Sequence, residues 1–124
     1  MICHGDPPYL EASSKGDRRF SALYARIAAR DFNSIEELYQ SKKLFDGKPS
    51  LNWRDVKGKK ADNQSECAVF YDQLWREYLY ENPFLIPPLL EASGISDTFG
   101  VKGSACQATS LWNLRNEFLT TSPF

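Results

Sequence analysis

Apolar side chains at Cys67, Phe70, Tyr71, Leu74 and Tyr78 recur at the i, i+3, i+4, i+7 and i+11 spacing of one helical face. This is the strongest periodicity in the chain, and it predicts a long helix. Asn63 followed by Glu66 has the spacing of a capping box at its start. Asn82-Pro83 then begins a new turn, with Pro at an N1-like position. Pro87 and Pro88 interrupt that turn, and a short helix is expected from there to Gly94, a suitable C′ residue. A last helix over about 105–119 buries Leu111, Leu114 and Phe118.

Upstream, Ile35, Leu38, Tyr39 and Phe45 form an apolar stripe on another helix. Asn33 or Ser34 caps it, Glu36 or Glu37 lies in its first turn, and Asp46-Gly47 ends it. Residues 9–14 and 20–27 read as short extended segments joined by a Lys15-Gly16-Asp17 turn. Phe20, Leu23, Tyr24 and Ile27 alternate imperfectly, and a helix over 20–29 also fits. Two polar loops remain: 47–62, anchored by Trp53 and Val56, and 95–104, which holds Asp97 and Phe99. The pattern predicts a single mostly α-helical α+β domain over residues 1–124, with a few short strands near the N-terminus.

One helical face departs from this apolar pattern. Glu36, Gln40 and Lys43 are spaced i, i+4, i+7, so at roughly 100° per residue they fall within about 60° of one another. They lie at the shoulder of the apolar stripe, not opposite it. A carboxylate, an amide and an ammonium placed there can line a pocket floor. The same spacing also describes a solvated helix face, which is the commoner case.

Composition narrows the function classes. The chain has 124 residues, 42% of them hydrophobic, enough for one domain with a core. Its 15 basic and 16 acidic side chains create no strong overall field for nucleic acid or an anionic membrane. Basic clusters at Lys15–Arg19 and Lys57–Lys60 could meet phosphates, although short charge runs usually mark solvated loops. No apolar run has spanning length and no signal-peptide pattern opens the chain, so a cytoplasmic setting is expected. Cys3, Cys67 and Cys106 are odd in number and widely spaced, which predicts free thiols and neither a disulfide framework nor a zinc site. His4 is the lone histidine, so a histidine triad or general base is excluded unless the terminus folds back into a site.

The order of these motifs resembles the NADAR (YbiA-like) superfamily of small N-glycosidase-type domains, over nearly the whole chain. Tyr9-Leu10 and Gly16-Asp17-Arg18-Arg19-Phe20-Ser21 stand where that family has an aromatic strand and a Gly-x-Phe-Ser-like turn. Glu36, Tyr39-Gln40 and Lys43 match its helix motif at the family's spacing. Glu81-Asn82-Pro83 with Leu85 to Leu90, then Asp97 with Phe99-Gly100, and finally Leu111-Trp112-Asn113-Leu114-Arg115 follow in the family's order. The chain departs from the pattern at Phe99, where Trp is usual and stands one residue further from the Asp. It departs again at Gly103-Ser104-Ala105, which lacks the family's Asn, and the Trp53–Lys60 loop does not align.

The resemblance implies cleavage of an N-glycosidic bond in a nucleotide-like or ADP-ribosyl small molecule, without cofactor or metal. On that expectation Glu36, Lys43 and Asp97 are catalytic. Glu36 would stabilise positive charge on the ribose or activate water, Lys43 would tune Glu36, protonate the leaving base or hold a phosphate, and Asp97 would be the second carboxylate. Phe20, Ser21, Gln40, Trp53, Phe99 and Gly100 would contact substrate. Gln40 would bond a sugar hydroxyl, and Trp53 or Phe99 would stack on a base or else plug the core. Arg115 reads as a helix-end surface cation more readily than as a phosphate ligand. The alternative is a non-catalytic module that binds a nucleotide, ADP-ribose or nucleic acid. A weaker one is an accessory protein acting through a protein partner. Fold likeness would not settle the choice.

Overall fold

The structure is a computed structural model that describes residues 1–100 and 105–121. It is a single α+β domain, richer in helix than in strand. The strands are β1 (Ile2–Gly5), β2 (Tyr9–Glu11), β3 (Arg26–Ile27), β4 (Asn33–Ser34), β5 (Leu44–Phe45), β6 (Lys48–Pro49) and β7 (Gly94–Asp97). The α-helices are α1 (Ile35–Lys42), α2 (Gln64–Glu81), α3 (Ile86–Glu91) and α4 (Gln107–Thr121). Among the described residues no helix is long and apolar enough to cross a membrane.

α2 is the central helix. Cys67, Tyr71, Leu74, Trp75, Tyr78 and Leu79 are all buried along it, and α1 and α4 both pack against it. Its aromatic rings meet edge to face: Tyr39 of α1 lies 5.0 Å from Tyr71, and Trp75 lies 6.4 Å from Tyr71 and 5.6 Å from Tyr78. α4 packs on α2 and on β7. β7 is the middle strand of the main sheet, antiparallel to β1 and parallel to β2. The cysteines are thiols, Cys3 exposed and Cys67 and Cys106 buried.

Several local expectations change. Residues 20–27 form no continuous strand or helix: a 3₁₀ turn at Arg18–Phe20 leads through a tight loop into β3, whose two residues are the only strand in that stretch. α1 ends at Lys42, earlier than expected. Asp46 (φ 54°) and Gly47 (φ 76°) instead form the turn of the β5–β6 hairpin. Two consecutive positive φ values are what a two-residue type I′ hairpin turn requires, and Asp-Gly supplies them at low cost. Asn63 caps α2 without a side-chain bond to its amides. Its side chain accepts from Leu44 N at 2.9 Å and donates to Lys42 O at 3.0 Å, so it ties the end of α1 to the start of α2. Pro87 and Pro88 sit in the first turn of α3, where a missing N–H costs nothing. α3 stops at Glu91, and Gly94 opens β7 instead of terminating a helix.

The largest change concerns residues 95–104. Gly94 to Asp97 form a wholly buried strand rather than a loop, and residues 101–104, including Gly103-Ser104, lie outside the described residues. A central strand gains its stability from two flanking partners, so Gly-Ile-Ser-Asp can pair without intrinsic strand preference.

Candidate functional site

Ser34 caps α1 by accepting from Glu37 N at 3.1 Å, which fixes where the helix begins and which way Glu36 points. Glu36 N donates to Ala22 O and Ile35 N to Ala25 O, each at 3.0 Å, so the loop after Phe20 is laced to the first turn of α1. Ala22 N in turn donates to Gln107 Oε1 at 2.8 Å, which ties the same loop to the first residue of α4. Together with β7 and α2, these segments line one cleft of about 270 Å³. Glu36 and Asp97 both line it, with Ser21, Tyr39, Tyr71 and Phe99.

Glu36 is 6% exposed and Asp97 2%, so both carboxylates are withdrawn from bulk water but reach the cleft. Glu36 Oε1 accepts from Gln40 Nε2 at 3.0 Å. Asp97 Oδ1 accepts from Phe99 N at 2.9 Å, and its Oδ2 from Gln107 Nε2 at 3.0 Å. Burial pushes the Asp97 carboxyl up from its ordinary range, against those donors, which favour the anion. Glu11 behaves in the opposite way. Burial works against its charge, but the Thr98 N–H and the Thr98, Ser13 and Ser96 hydroxyls outweigh it and lower its pKa. Glu11 accepts from Thr98 N at 2.6 Å and so braces the turn that carries Phe99 and Gly100.

The structure separates the expected site residues into two groups. Glu36, Asp97, Ser21, Phe99 and Gly100 line the cleft. Phe20, Gln40, Lys43 and Trp53 do not. Phe20 is a fully buried core residue. Gln40 is also fully buried and stands behind Glu36 as its hydrogen-bond donor. Trp53 is half-buried under the Arg54 guanidinium, 4.9 Å from its ring. Lys43 is not part of the helix but its C-cap, because the chain turns to extended backbone there. Its Nζ donates to Val56 O at 3.3 Å and Lys59 O at 2.8 Å and lies 5.2 Å from the Tyr39 ring. Burial lowers the Lys43 pKa, and the negative charge of Glu36 opposes that fall.

Two other groups lie outside the cleft. His4 is on β1, with Nε2 and Thr109 Oγ1 2.9 Å apart. Arg115 donates to Ala92 O at 2.9 Å and so pins α4 to the end of α3. Among the described residues no cluster of three or more His, Cys, Asp or Glu side chains is placed to hold a metal ion.

Gln107, Tyr71 and Lys57 line the cleft without having been picked out for it in the sequence. Tyr71 was hidden within the apolar stripe of α2, and Lys57 within a basic run. Nothing local marks Gln107, because its partners are contributed by two distant segments.

The Gln107 amide has a measurable consequence. Gln107→Glu keeps the acceptor for Ala22 N but replaces the donor to Asp97 with a second carboxylate. The pair then holds a proton more tightly when folded than when unfolded. Its stabilising effect is complete below the unfolded carboxylate range and is lost as pH rises through the folded pair's titration. We expect the variant to be about 1–3 kcal/mol less stable than wild type at pH 7.5, with the deficit shrinking at pH 5. Urea denaturation at the two pH values checks this, and a deficit independent of pH would count against the Asp97–Gln107 contact.

No protein-family model, curated protein or solved structure matches the chain.

Proposed function

We propose that this protein is an N-glycosidase that cleaves the bond between a ribosyl C1′ and a base nitrogen in a nucleotide-like or ADP-ribosyl small molecule. The observation that carries the reading is the meeting of Glu36 and Asp97, two buried carboxylates from distant segments, in one small cleft walled by Tyr39, Tyr71 and Phe99. Breaking a C1′–N bond develops positive charge on the ribose and negative charge on the departing base. Glu36 faces the first demand as an anion that stabilises the oxocarbenium-like centre or orients water. Asp97 is suited to the second, because burial raises its affinity for a proton that the leaving nitrogen needs. Phe99 is 44% exposed at the cleft and offers a face for stacking a base. The Lys43 ammonium is engaged by two backbone carbonyls, so we assign it no proton transfer.

One observation favours a second reading, a non-catalytic binder of the same class of ligand. Asp97 already accepts a hydrogen bond on each oxygen, as a fixed structural carboxylate would. The deciding experiment incubates wild-type protein with nicotinamide, flavin-precursor and ADP-ribosyl compounds and follows released base by chromatography. Release supports the glycosidase, binding without release supports the binder, and neither outcome with any compound would remove both.

A further inference from the structure

Among the described residues one cation lines the cleft beside its two carboxylates, and the catalytic reading does not use it. Lys57 lines the cleft, and it belongs to the basic run that matched no family motif. Its backbone has φ −60° and ψ 125°, Gly58 follows at φ +81°, and Lys59 N donates to Val56 O at 3.0 Å. These are the marks of a type II turn with Lys57 at its first central position and glycine at the second, where positive φ is needed. The carbonyls at both ends of this turn, Val56 O and Lys59 O, accept from the buried Lys43 Nζ. Lys43 is 2% exposed and so acts as an internal clamp on the segment that presents Lys57.

Lys15 stands on a second constrained turn. Gly16 N donates to Ser13 O at 3.0 Å and Lys15 N to Ser13 Oγ at 3.2 Å. Its neighbour Ser14 lines the cleft, and its Nζ lies 5.5 Å from the ring of Phe99, another lining residue. Among the described residues neither Lys15 nor Lys57 forms an ion pair.

We propose that Lys57 and Lys15 form an anion subsite at the cleft mouth that selects ligands carrying a phosphate on the ribosyl group, and that Lys43 is the positioning residue that holds Lys57 there. The inference rests on the reading of the cleft as a ribosyl site, but it concerns binding and not turnover. A phosphate would be repelled by Glu36 and Asp97, so its place is the rim, which leaves the sugar to enter towards the carboxylates. Two ammonium groups match the charge of a phosphate monoester near neutral pH, and each can donate to its oxygens.

Calorimetric titration of the full chain with ribose 5-phosphate and with ribose tests this, because neither compound has an N-glycosidic bond to cleave. Wild type should bind the phosphate ester at least about tenfold more tightly than the free sugar, which is within the range of one charge-assisted contact. Lys57→Ala is an exposed change that leaves the fold intact and should abolish most of that preference, and Lys57→Arg should restore part of it. Lys43→Met should reproduce the loss with an unchanged helical circular-dichroism spectrum. Equal affinity for the two sugars, no binding of either, or full preference in Lys57→Ala would each overturn the subsite. Failure of the glycosidase reading shows differently, as retained phosphate preference with no base released from any nucleotide.

Discussion

Glu36→Gln will lower base release by about 10²–10³-fold, the usual cost of losing one well-placed electrostatic group. Ligand affinity will change far less. The amide keeps the volume of the carboxylate, and its oxygen still accepts from Gln40 Nε2, now 3.0 Å from Oε1. What it loses is the negative charge, and that charge is needed most when the ribose becomes cationic at the transition state. The substitution should therefore leave KM near wild type and fall on kcat. Stability should hold or rise, since a group 6% exposed no longer has to carry charge. Thermal unfolding and chromatography of released base check the two halves together. A variant that is as stable as wild type and equally active would remove Glu36 from the chemistry. If the fold is lost along with activity, Glu36→Asp supplies the comparison, because it retains the charge at a shorter reach.

The sequence made some of this legible for identifiable reasons. The α2 stripe is long and periodic, so Cys67, Tyr71, Leu74 and Tyr78 announced a buried face. Ser34 before two glutamates marked the start of α1, and the helical spacing correctly grouped Glu36 with Gln40. Lys43 escaped the same logic, because the helix ends one residue before it and the side chain turns to the 53–59 segment. Helical spacing applies only as far as the helix does. β7 was illegible because its neighbours supply what its sequence lacks: β1 and β2, both near the N-terminus, pair with it from far away in the sequence. Asp46-Gly47 signals a turn in either context, and whether a helix or a hairpin precedes it depends on pairing with β6. Gln107 joins Ala22 to Asp97 across the fold, and no local pattern encodes such a bridge.

Trp75→Ala should have the largest effect on the fold, about 3–5 kcal/mol of destabilisation by cavity formation and lost burial. Trp75 is fully excluded from solvent, and its ring meets Tyr71 on one side and Tyr78 on the other. Tyr71 lines the cleft, and it also meets Tyr39, so the aromatic row runs from the site wall into the body of α2. At the far end the Tyr78 hydroxyl donates to Arg19 O at 2.7 Å, just before the loop that carries Ser21 and Ala22 into the cleft. Removing the indole therefore takes support from the cleft at two places as well as emptying the core. A domain of this size has only about 5–15 kcal/mol of net stability, so the variant should unfold at a much lower urea concentration, with the slope little changed. Trp75→Phe keeps an aromatic edge between the two tyrosines and should recover roughly half of the loss. Ligand affinity in Trp75→Phe should fall only a few-fold, since Tyr71 keeps a packed neighbour. If Trp75→Ala unfolds at the wild-type midpoint, the aromatic row is not the spine that holds the cleft.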